Sequence, residues 1–93
     1  MRSRYTPLAE HLRRQSGPHH TMRFAEIEAL IGARLPASAR NVRTLRAWWD
    51  NDPSPNSRHS QSKHGWLAAG WEAESPDVDR EIITFRKRAA EPH

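Results

Sequence analysis

Arg40, Arg43 and Arg46 stand three residues apart and lead into Trp48-Trp49 and Asp50-Asn51-Asp52. On a helix this spacing lays three guanidiniums along one side. A guanidinium is a planar fork of donors that suits phosphate, and Asn41 and Thr44 supply short polar side chains for base edges. No acid occurs from Gly32 to Trp49, whereas a helix face that merely solubilises usually mixes its signs. The pattern predicts contact with a polyanion, against the plainer reading of a solvated helix face. A second polar set follows in Asn51, Arg58, His59, Ser60, Gln61, Lys63 and His64. Ser60 suits the cap of a short helix reaching Ala69, with Ser60, Gln61, Lys63 and His64 outward as a rival reading surface.

Other chemistry finds little material. Neither His19-His20 nor His59 with His64 has the i, i+4 spacing that puts two imidazoles on one helix face. Cysteine is absent, which excludes disulfides and thiolate metal sites. There is no nucleophile elbow, phosphate loop or separated carboxylate pair with a plausible base. The expectation is a non-enzymatic chain with no metal and no cofactor.

The elements that must position these residues can be read from caps and periodicity. Thr6-Pro7 opens a helix with Leu8 and Leu12 on its buried side, and Gln15-Ser16-Gly17-Pro18 closes it. His20 to Arg23 is a short strand. Phe24, Ile27, Leu30 and Ile31 recur at helical spacing up to Gly32, with Glu26 and Glu28 near the positive end of the dipole. Leu35, Ala39, Val42, Leu45 and Trp49 continue a helical period, so Pro36–Trp49 is expected as a helix, with Arg46–Trp49 as a short strand in competition. Residues 50–58 read as a loop. Trp71–Glu74 and Glu81–Arg86 alternate as two strands joined through Ser75-Pro76-Asp77 as a hairpin.

The expected fold class is therefore α+β: a small winged-helix-like domain with three or four helices and a C-terminal β-hairpin. Its expected core holds Leu8, Leu12, Phe24, Ile27, Leu30, Ile31, Leu35, Val42, Leu45, Trp66, Leu67, Ile83 and Phe85, enlarged by the other tryptophans. Residues 5–88 form the single domain of the 93-residue chain, and 1–4 and 89–93 are flexible ends. No apolar run is long enough to cross a bilayer and no secretory segment opens the chain, so the expected location is the cytoplasm.

Charge is unevenly spread. Residues 1–49 hold nine arginines and three acids, a net +6, while residues 72–93 hold four basic and six acidic residues, a net −2. The basic part would meet the polyanion and the acidic hairpin would turn away from phosphate, toward solvent or a second subunit.

The chain also resembles an uncharacterised family of small bacterial domains, frequent in actinobacteria. The resemblance rests on Tyr5-x-Pro7-Leu8, Phe24 through Gly32, Leu35-Pro36-x-Ser38-Ala39-Arg40 and Trp48-Trp49-x-Asn51-Asp52. It continues through Ser60-Gln61, Trp66-Leu67-x-Ala69-Gly70-Trp71 and Thr84-Phe85-Arg86. The stretch after Arg40 is longer than the pattern by a few residues, and Gly65 replaces a better helix former. The resemblance implies one domain and a bacterial source, and it carries no mechanism.

Two functions remain. The first is a small DNA-binding protein, a regulator or an accessory module in mobile-element or defence systems, contacting double-stranded DNA through Arg40, Asn41, Arg43, Thr44, Arg46, Asn51, Arg58, Ser60, Gln61, Lys63 and His64. The second is a protein-interaction module that offers its acidic hairpin and an exposed tryptophan to a protein partner or a second copy.

Overall fold

Helix α1 (Thr6–Arg13) buries Leu8, Ala9 and Leu12, residues that share one side, and carries Pro7 in its first turn where no amide donor is needed. Strand β1 (His19–Arg23) runs directly into helix α2 (Phe24–Ile31). The Glu26 carboxylate accepts the Arg23 amide at 2.8 Å and fixes that junction. Gly32 ends α2 in the left-handed region (φ 70°), its amide donating to the Glu28 carbonyl at 2.9 Å. The computed structural model describes residues 3–52 and 60–88. The expected flexibility of the chain's extreme ends, the central part of the 50–58 loop, and Arg58 and His59 lie outside the described residues.

Pro36–Trp49 does not form the single helix that its periodicity predicts. It divides into a 3-10 turn (Ala37–Ala39), an irregular turn, and a short helix α3 (Leu45–Trp48), which also excludes a strand at the tryptophans. Local side chains compete with the helical ladder here. The Asn41 side-chain oxygen Oδ1 accepts the Arg43 amide at 2.8 Å, the Thr44 hydroxyl donates to the Ser38 carbonyl at 2.9 Å, and the Trp49 indole donates to the Ala39 carbonyl at 3.0 Å. Val42, expected in the core, stands 75% exposed on that turn.

A helical stretch follows from Ser60, and its middle part, α4 (Ser62–Trp66), is π-helical. The Leu67 amide reaches back to the Ser62 carbonyl at 2.9 Å across Gly65, which departs from helical dihedrals. A methyl group at Gly65 would sit 3.6 Å from both Leu8 and Tyr5 side-chain carbons, so α1 lies against the α4 backbone.

Strands β2 (Trp71–Asp77) and β3 (Ile82–Lys87) pair antiparallel, and β1 adds to the far side of β3, giving a three-stranded sheet in the order β1-β3-β2. The expected turn at Ser75-Pro76-Asp77 belongs instead to β2. Proline is tolerated there because β2 is an outer strand and one of its edges makes no ladder. A register shift between Ala73 and Ser75 bends the strand. The turn itself contains Glu81 at φ 54°, a left-handed position that L side chains adopt at a cost.

One sheet face is polar. Thr21 and Thr84 share a hydrogen bond at 3.0 Å, and Arg86 pairs with Glu72 at 3.2 Å. The other face, with Met22, Ile83, Phe85, Trp71 and Ala73, packs on the helices in one apolar cluster. At its centre Phe24, Trp49 and Trp66 stack in succession, with centroids 5.5 and 5.4 Å apart, and Phe85 closes the column 5.7 Å from Trp66. Trp49, Trp66 and Trp71 are buried and Trp48 is half-buried.

Candidate nucleic-acid interface

The three arginines of the predicted stripe have different fates. Arg40 turns inward: its guanidinium donates to Glu28 at 2.9 Å and to Glu81 at 2.5 Å, and its carbon lies 5.4 Å from the Phe24 ring centroid. Glu28 is doubly used, since the same oxygen accepts the Leu35 amide at 2.8 Å. That backbone donor, followed by Arg40, holds the Glu28 carboxyl below its ordinary range, and the two carboxylates raise Arg40 in turn. Arg40 thus fastens the 33–40 segment to α2 and to the turn before β3. Arg43 and Arg46 stay exposed, and among the described residues neither makes an ion pair.

This division is measurable. Arg40→Ala leaves two carboxylates facing each other and is expected to cost about 1–3 kcal/mol, between the values for exposed and buried pairs. Arg43→Ala is expected to stay within about 0.5 kcal/mol of the parent. Urea denaturation of the two variants checks the contrast, and equal midpoints would show that Arg40 has no fastening role.

The polar set after α3 divides as well. Asn51 serves the fold: its side-chain oxygen accepts the Trp66 indole N–H at 2.9 Å and the Ala73 amide at 2.8 Å, while its amide nitrogen donates to the Ala73 carbonyl at 2.8 Å. Gln61, expected to face outward, is buried and donates to the Trp48 carbonyl at 2.9 Å. The carbonyl at the end of α3 has no acceptor role inside that helix, and it draws the Gln61 amide inward. Ser60, Lys63 and His64 are exposed, as are Asn41 and Thr44 on the turn before α3.

The elements that carry the two candidate sets meet. Gln61 ties the start of the second helical stretch to the last turn of α3, and the Trp48 and Trp66 rings meet at 6.1 Å. Sequence reasoning missed Arg13, whose guanidinium donates to the Ala68 carbonyl at 3.1 Å and locks α1 to the end of that stretch. No short-range signal could have found it, because its partner lies 55 residues away.

The acidic run is not a bare anionic patch. Glu72 and Glu74 contact Arg86 at 3.2 and 3.9 Å, Glu74 also contacts His19 at 3.4 Å, Asp77 lies 3.9 Å from Arg80, and Glu81 holds Arg40. An open groove of about 730 Å³ separates α3 from β2, lined by Leu45, Arg46, Trp49, Asn51, Glu74 and Pro76 among others. At the free edge of β2, the Asn51 side chain occupies both backbone groups of Ala73, and Pro76 has no amide to offer. An added strand is therefore discouraged. Among the described residues no group of three or more histidine or acidic side chains could hold a metal ion. No helix among them is long and apolar enough to cross a membrane.

These features define a small α+β domain in which helices cover one face of a three-stranded antiparallel sheet and exposed cations gather on and before α3 and on α4. The chain belongs to the family described as Domain of unknown function (DUF7662), which matches residues 5–88, nearly its whole length. No curated protein and no solved structure matches it.

Proposed function

We propose that this domain is a non-enzymatic, winged-helix-like binder of double-stranded DNA in the bacterial cytoplasm, acting as a regulator or accessory module. The observation that carries the reading is the exposure of Arg43 and Arg46 on and before α3, a helix that Gln61 ties to a stretch presenting Ser60, Lys63 and His64 to solvent. The element order supports it: a helical stretch precedes β2, the sheet order is β1-β3-β2, and β2 with β3 would serve as the wing hairpin. In such a domain the helix before the wing enters the major groove. Arg43 and Arg46 would hold phosphates while Lys63 and His64 reach base edges. The internal pairing of Glu72, Glu74 and Asp77 lowers the repulsion that an acidic wing would otherwise exert.

The protein-interaction reading has less support, because Glu72, Glu74, Asp77 and Glu81 are paired within the domain and the tryptophans are buried or half-buried. Salt-dependent binding to duplex DNA separates the two. Each phosphate neutralised contributes about −0.9 to the slope of log K against log salt, so Arg43→Ala with Arg46→Ala is expected to flatten it by about two units. Lys63→Ala is expected to relax sequence preference. A parent protein without duplex affinity at low salt overturns the DNA reading.

A further inference from the structure

The sheet's core-facing side carries one polar contact that the DNA reading does not use. His20 of β1 pairs with Phe85 of β3, so its ring lies on the packed face, at the edge of the core beside Trp71. His11 descends on it from α1, placing the two Nε2 atoms 3.2 Å apart and the ring centroids 5.3 Å apart. Gln15, just beyond the end of α1, donates to the His11 carbonyl at 3.0 Å and brings its amide nitrogen to 3.4 Å from His11 Nε2. Only one hydrogen fits between two ring nitrogens at this distance. One Nε2–H donates to the other ring's lone pair, with the tautomers setting which ring is the donor.

We infer that His11 and His20 form an acid-opened clasp between α1 and β1, closed while they share one proton and forced apart when both rings are protonated. Double protonation turns the hydrogen bond into two N–H groups facing each other and sets two positive charges within one contact. The surroundings do little to offset this. Glu26 of α2 is the acid that acts on His20, and its carboxylate is engaged with the Arg23 amide. Glu10 precedes His11 on α1 and has an interaction of its own. His19 and Arg23 flank His20 but alternate to the opposite sheet face, where His19 meets Glu74. On β3, the Lys87 ammonium lies 5.8 Å from the ring centroid of Trp71, whose ring also meets His20 edge-on at 6.4 Å. Burial first, and His11 second, lower the His20 pKa below its ordinary value, with Glu26 opposing.

The sign follows from linkage. A histidine whose pKa is lowered by folding binds more protons in the unfolded chain, so stability rises with pH in that interval. The clasp's contribution is complete above the ordinary histidine value of about 6.5 and is lost as the pH falls below it. Because α1 also supports α4 at Gly65 and through Arg13, opening the clasp loosens the bed on which that helix rests. The inference does not depend on DNA binding.

Two measurements test it. In the parent, the His20 ring resonance followed by NMR should titrate at a lower pH than histidine in the urea-unfolded chain, and this difference should shrink in His11→Gln. The melting temperature of the parent should fall further between pH 7.5 and pH 5 than that of His20→Gln. His11→Gln should retain part of the fall, because burial of His20 remains. A parent His20 that titrates as in the unfolded chain, or a His20→Gln profile parallel to the parent's, overturns the clasp. The NMR arm decides the matter even if His20→Gln fails to fold.

Discussion

Trp66→Ala is expected to remove about 3–5 kcal/mol of stability, the range for truncating a fully buried large aromatic. The ring is 0% exposed and sits in the column between Trp49 and Phe85, so its loss opens a cavity that these two rings border. It also deprives the Asn51 oxygen of one donor. Small domains have only about 5–15 kcal/mol in all, so this variant should be near its unfolding midpoint in mild denaturant. Trp66→Phe keeps most of the packing and should lose less. Circular dichroism during urea titration measures both variants, and a Trp66→Ala midpoint equal to the parent's would refute the packing described.

Asn51→Ala should come next, at about 2–4 kcal/mol. It leaves the Trp66 indole N–H and both backbone groups of Ala73 without the partners they now have, and an orphaned buried polar group costs about 1–3 kcal/mol. Asn51→Asp distinguishes hydrogen bonding from bulk. The carboxylate keeps an acceptor for the two N–H groups but sets a second oxygen against the Ala73 carbonyl, where the amide nitrogen now donates. Protonation restores a donor, so the folded-state pKa of the introduced acid is raised and this variant should regain stability relative to the parent as pH falls toward 4. An Asn51→Asp midpoint that falls with acid in parallel with the parent's would exclude the donor role. Wild-type affinity for DNA in a folded Asn51 variant would agree with the inward orientation of this side chain.

Elements set by near neighbours were legible in the sequence. The α1 and α2 faces and the Gly32 cap rest on spacings of four residues or fewer, and Trp66 and Trp71 are buried as expected. The Pro36–Trp49 segment had a sound helical period, yet the Asn41 and Thr44 side chains satisfied its backbone in another way.

What tertiary structure alone decided are the partners far along the chain. Arg40 finds Glu81 across 41 residues, Asn51 finds Ala73 across 22, and Thr21 finds Thr84 across 63. Residue type and spacing made Arg40, Arg43 and Arg46 equivalent, but a guanidinium becomes a brace or a free hand according to the carboxylates that the fold brings within reach. Periodicity records which side of an element is apolar; it does not record which element will stand opposite. That is settled only when the chain closes on its core, and here closure leaves Arg43 and Arg46 exposed while it ties Arg40 down.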